Sequence, residues 1–88
     1  MQERLRLNNG TVLENSSAIL SGDLFLYING QDLRTVFDLL IEPENTKKIV
    51  YTQNNGEAIT YQKFKKLICV RDEGRGLITA VMRREVNE

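Results

Sequence analysis

Two Asn-Asn-Gly triplets, Asn8-Asn9-Gly10 and Asn54-Asn55-Gly56, each lie between segments suited to extended chain. Asn-Gly tolerates positive φ at both residues, the backbone that closes tight β-hairpins. A chain punctuated in this way is committed to local antiparallel pairing. With Asn9 and Gly10 as the central pair of a two-residue turn, Asn8 faces Thr11, Leu7 faces Val12 and Leu5 faces Glu14. Leu5, Leu7 and Val12 then share one face while Arg4 and Arg6 take the other, the alternation of a half-buried strand pair. The same placement of Asn55-Gly56 pairs Thr52 with Ile59 and Val50 with Tyr61, within segments rich in β-branched and aromatic residues. The flanks of the two turns share little else, so no internal duplication is expected.

The third Asn-Gly pair, Asn29-Gly30, has a different neighbourhood. Leu24 to Ile28 before it is apolar on both faces, as a central strand requires. After it, Leu33, Val36, Phe37, Leu40 and Ile41 recur at helical spacing and form one stripe. Asp32 is suited to cap this helix, and Pro43 ends it by removing an amide donor and restricting Glu42. A helix over 33–41 is too short to stand alone, so it should lie on a sheet. Further on, 64–71 and 77–83 read as a third hairpin at the centre of the sheet, joined by Asp72-Glu73-Gly74-Arg75-Gly76. A helix over 58–68 competes, because Ala58, Tyr61, Phe64 and Ile68 would share a face. The polar tail 85–88 is expected to fray. The fold class expected is α+β: an antiparallel curved sheet or small open barrel of about six strands, with one short helix packed on it.

Composition enters mainly by exclusion. The 88 residues make a single domain (1–88), with one Cys and no His. Histidine relays, histidine metal ligands, internal disulfides and zinc clusters of cysteines are therefore absent. Neither a cofactor, a metal nor a catalytic site is expected. No apolar run matches a signal-peptide core or a membrane span, so the expected setting is cytoplasmic, without membrane partners. Asn15-Ser16-Ser17 fits a glycosylation acceptor and reads here as a plain turn.

Three clusters carry candidate chemistry. Asp72, Glu73 and Arg75 stand on a glycine-flanked loop, which lacks the ligand spacing of a calcium loop and the pattern of a phosphate loop, and reads as a hairpin tip. Cys69 lies in the most apolar segment and is expected in the core. Tyr51, Tyr61, Lys63, Phe64, Lys65 and Lys66 interleave aromatics with cations, as single-strand binders do. The competing reading turns Tyr61 and Phe64 inward and leaves the lysines in water. The candidate interaction surface thus comprises Lys63, Lys65, Lys66, Asp72, Glu73 and Arg75, with the exposed side of the helix beside it.

Charge adds one further feature. Twelve Lys and Arg balance twelve Asp and Glu, which disfavours general nucleic-acid binding. Residues 1–44 hold three cations against seven anions, a net −4, and 45–88 hold nine against five, a net +4. Halves forming opposite faces would favour head-to-tail stacking of copies; halves mixed in one sheet would only neutralise each other.

Leu5-Arg6-Leu7-Asn8-Asn9-Gly10, the helix closed at Glu42-Pro43-Glu44-Asn45-Thr46, Tyr61-Gln62-Lys63-Phe64-Lys65-Lys66-Leu67, and the closing Leu77-Ile78-Thr79-Ala80-Val81-Met82-Arg83 follow in that order of strand, turn and helix, without a diagnostic motif. This layout resembles small prophage-encoded proteins of Firmicutes, of the tail or baseplate type, from about Leu5 to Arg84. The resemblance implies a virion-associated or assembly component without an enzymatic site, and it assigns no functional residues. The function expected is that of a phage-related structural or assembly protein. It would act through contacts with other protein subunits, copies of itself among them. A nucleic-acid module using the basic second half, and a small ligand-binding domain or enzyme, are the alternatives.

Overall fold

The computed structural model describes residues 2–85; of the tail 85–88 expected to fray, Glu85 is held by the Lys63 carbonyl and Lys65, and 86–88 lie outside the described residues. The chain runs β1 (Arg4–Arg6), β2 (Val12–Glu14), β3 (Ser17–Ser21), β4 (Asp23–Asn29), α1 (Leu33–Leu40), α2 (Pro43–Thr46), β5 (Lys48–Thr52), β6 (Ala58–Gln62), β7 (Lys66–Gly74) and β8 (Leu77–Arg83). The strands form two antiparallel four-stranded sheets, in the orders β2-β1-β5-β6 and β3-β4-β8-β7. The single sheet or open barrel of about six strands expected from the sequence is therefore corrected, among the described residues, to eight strands in two sheets, with two short helices. The competing helix over 58–68 is replaced by β6 and the start of β7.

The sheets face each other across one core. Leu5, Leu13, Ile49 and Tyr51 enter it from the first sheet, and Leu24, Leu26, Ile28, Ile78, Ala80 and Met82 from the second. The switch between sheets occurs where the sequence shows only a turn. Asn15 takes a positive φ of 55°. Ser16, buried, donates from Oγ to the Glu14 carbonyl (2.9 Å) and accepts the Asn29 amide (3.3 Å). Asn29 Nδ2 in turn donates to the Asn15 carbonyl at 2.7 Å. This satisfied polar corner sends the chain into β3, a strand the hydropathy pattern does not reveal.

Both Asn-Asn-Gly hairpins form, each displaced by one residue from the expected register. Leu5 pairs with Leu13 and Arg6 with Val12; Tyr51 pairs with Ile59 and Val50 with Thr60. The cause is common to both. The Gly10 amide donates to the Leu7 carbonyl and the Leu7 amide to the Thr11 carbonyl, both at 2.9 Å, enclosing three loop residues instead of two. Asn9 Oδ1 accepts the Thr11 amide (3.0 Å), as Asn55 Oδ1 accepts the Glu57 amide (2.9 Å). Gly10 and Gly56 lie at φ 91° and 89°, the left-handed position that closes a three-residue hairpin loop. A one-residue slip reverses every face, so Leu13 is buried and Val12 is exposed. The third hairpin turns tightly at Arg75-Gly76, both at positive φ, and β7 lies at a sheet edge instead of the centre.

Asp32 caps α1 as expected, its Oδ1 accepting the Thr35 amide at 2.8 Å. Pro43 does more than stop this helix, since it also occupies the first turn of α2, where its missing N–H costs nothing. Val36 and Leu40 are fully buried, while Leu33, Phe37 and Ile41 on the same apolar stripe remain 39–50% exposed. The stripe is wider than the strip of sheet it covers.

Candidate interaction surfaces

Each strand of the second sheet shows alternate residues on its outer face, away from the core. There Ile19 pairs with Phe25, Phe25 with Val81, and Val81 with Cys69. These four side chains form an apolar row across all four strands, with Ile19 55% exposed at one end. A second row, Ser17, Tyr27, Thr79 and Arg71, runs beside it. The charges bordering the rows are neutralised within the face. Arg83 makes a bidentate contact with Asp23 (both 3.1 Å), and Arg71 reaches Glu73 at 3.0 Å. The Arg83 hydrogen bonds hold the Asp23 carboxyl below its usual range; the Thr79 hydroxyl and then Arg71 do so for Glu73.

Cys69 belongs to this outer face, which corrects its expected burial. A bulge between Leu67 and Cys69 inserts one residue into β7, so Leu67 faces inward opposite Met82 while Cys69 faces outward opposite Val81. Strict alternation would place both on the same side.

The six candidate surface residues do not converge. Lys63 follows β6 at φ 73°, with its amide on the Lys47 carbonyl (3.1 Å) and its carbonyl accepting the Glu85 amide (2.7 Å). Lys65 pairs with Glu85 at 2.9 Å and, with Lys66, Arg83 and Arg84, borders an open depression of about 550 Å³. Asp72, Glu73 and Arg75 lie at the opposite end of the β7–β8 hairpin, roughly 20 Å away at about 3.3 Å per strand residue. There Asp72 Oδ1 is occupied by the Gly74 amide (2.9 Å), as a hairpin tip requires.

The aromatics interleaved with these lysines in sequence are turned inward. Phe64 is 1% exposed, stacked edge-on with Tyr61 (6.2 Å between centroids) and capped by the Arg84 guanidinium at 4.7 Å. Tyr51 is buried and donates to the Glu3 carboxylate. That bond, reinforced by burial, pushes the phenol up to about 12. Of the two readings of this stretch, the structure takes the one that turns Tyr61 and Phe64 inward, and these rings form a core layer instead of a stacking platform.

The charge halves are also redistributed. Each sheet joins two strands of the first half to two of the second, so the opposite-charge faces needed for head-to-tail stacking do not form. First-half strands carry Arg4 and Arg6 against Glu14 and Asp23; the negative excess lies on Asp32, Asp38, Glu42 and Glu44, in and around the helices. Among the described residues no group of three His, Cys, Asp or Glu side chains is placed to hold a metal ion, and no helix is long and apolar enough to cross a membrane. Comparison of the chain with protein-family models, curated proteins and solved structures finds no match.

Proposed function

We propose that this chain is an assembly component that acts through protein–protein contacts, with the outer face of the β3-β4-β8-β7 sheet as its docking surface and a second copy as occupant. The observation that carries the reading is the apolar row Ile19–Phe25–Val81–Cys69, continuous across four strands and uncovered among the described residues. The row is exposed at its ends, Ile19 and Cys69, and half-buried at Phe25 and Val81, and contiguous apolar surface left open to solvent marks interaction sites. Charge selects the partner. With Asp23–Arg83 and Arg71–Glu73 already paired, two such faces can oppose each other without bringing like charges together. The outer face of the other sheet carries Arg4, Arg6 and Lys48 against Glu14 alone, so two copies of it would repel. The likeness in layout to small prophage proteins fits the same reading, with a phage particle or its assembly as the setting.

Cys69 supplies a built-in probe, because it is the only thiol and stands at the end of the row. Its reaction with a small alkylating reagent should slow as protein concentration rises and the faces come together. A rate constant independent of concentration would refute self-docking through this face.

A further inference from the structure

The outer face of the first sheet carries a different surface at the end nearest the helices. Arg6 on β1 and Lys48 on β5 point outward from adjacent strands; Lys47 precedes β5, and Lys63 follows β6. With Asn8 and Gln62 these residues line two adjoining depressions of about 310 and 240 Å³, which share Asn8 and Lys48. No carboxylate lines either depression, and none of the four cations is in an ion pair among the described residues. Their backbone is held in place. The Asn8 amide donates to the Asn45 carbonyl (2.8 Å), and Lys63 is pinned at positive φ between Lys47 and Glu85.

We propose that this cluster binds the phosphate backbone of duplex nucleic acid. Three observations select that ligand. First, the cations spread over three neighbouring strands, roughly 10 Å at the usual strand spacing, instead of converging on one point. That layout fits a row of phosphates better than a single small anion. Second, the outward residues alongside are Val50, Thr52 and Thr60, and the aromatic Tyr51 and Tyr61 face the other way, so nothing is offered for stacking unpaired bases. Third, Gln62 adds an amide donor of the kind that supplements cations on phosphate oxygens, while Asn8, its Nδ2 donating to the Glu44 carbonyl at 3.0 Å, fixes the rim between the two depressions. The zero net charge does not oppose this, since salt screens charges beyond about 10 Å and leaves the local cluster to act.

The site lies on the sheet opposite the proposed docking face, so it stands or falls independently of self-association. The test is anisotropy of a short labelled DNA duplex titrated with the full chain over a salt series. Binding should weaken with salt at a log–log slope between about −2 and −4, as two to four phosphates are contacted. The triple variant Arg6→Gln/Lys47→Gln/Lys48→Gln should bind at least about tenfold more weakly and flatten the slope by up to about three. Lys65→Gln/Lys66→Gln should bind like the parent, and an unchanged melting temperature keeps each variant interpretable. Absence of binding at the lowest salt, an unaffected triple variant, equal or tighter binding of the single strand, or preference for poly-glutamate over the duplex would each overturn the proposal.

Discussion

Tyr51 shows how much one side chain can hold at the edge of this core. Its ring is buried between the sheets, and its hydroxyl donates to Glu3, forty-eight residues away in sequence. The folded phenol keeps its proton to about pH 12, whereas an unfolded tyrosine releases it near 10. Between those values the folded state binds more protons than the unfolded one, so the stabilisation is complete below about pH 10 and is lost as pH rises towards 12. Denaturation midpoints compared between the parent and Tyr51→Phe should converge across that window, and a constant difference would contradict the bond's role. Nothing in the sequence pairs Glu3 with Tyr51, because the contact depends on β1 lying beside β5. Cys69 was hidden for a related reason: its direction is set by a bulge opposite β8, which period-two reasoning does not contain.

At the scale of elements, strands announced themselves where a turn with specific chemistry stood between them. Asn8-Asn9-Gly10 and Asn54-Asn55-Gly56 mark both hairpins. The same letters close two-residue and three-residue loops, and the difference reverses which of Val12 and Leu13 is buried. β3 escapes the hydropathy pattern because Ser17-Ala18-Ile19-Leu20-Ser21 begins at a sheet-switching corner, whose hydrogen bonds come from Ser16 and Asn29. Helix α1 was legible in its period and its Asp32 cap, though not in how much of its stripe would be covered. Leu40→Ala should destabilise by about 2–5 kcal/mol, as a fully buried leucine does. Phe37→Ser, one turn before it and 40% exposed, should cost well under half of that. Equal losses in thermal or chemical denaturation would mean that α1 is buried on both sides.

For the molecule as a whole, the arrangement of two sheets gives the neutral composition a spatial meaning. The −4 and +4 halves sit side by side within each sheet, and the surfaces differ by sheet instead: one outer face carries an apolar row bordered by closed ion pairs, the other a cluster of cations. The candidate site was only partly legible. Lys63 was singled out by its basic neighbourhood and does join a cationic cluster, but with Arg6, Lys47 and Lys48, which only the pairing of β1, β5 and β6 brings together. The apolar row could not be read from the chain at all, because its four residues come from four strands and one of them is displaced by a bulge. Docking through that row is the central claim, and sedimentation velocity tests it most directly. The parent chain should sediment increasingly as a dimer as its concentration rises, while Phe25→Lys/Val81→Lys, folded by circular dichroism, should remain a monomer. A parent that stays monomeric throughout, or a variant that associates equally well, would contradict the claim.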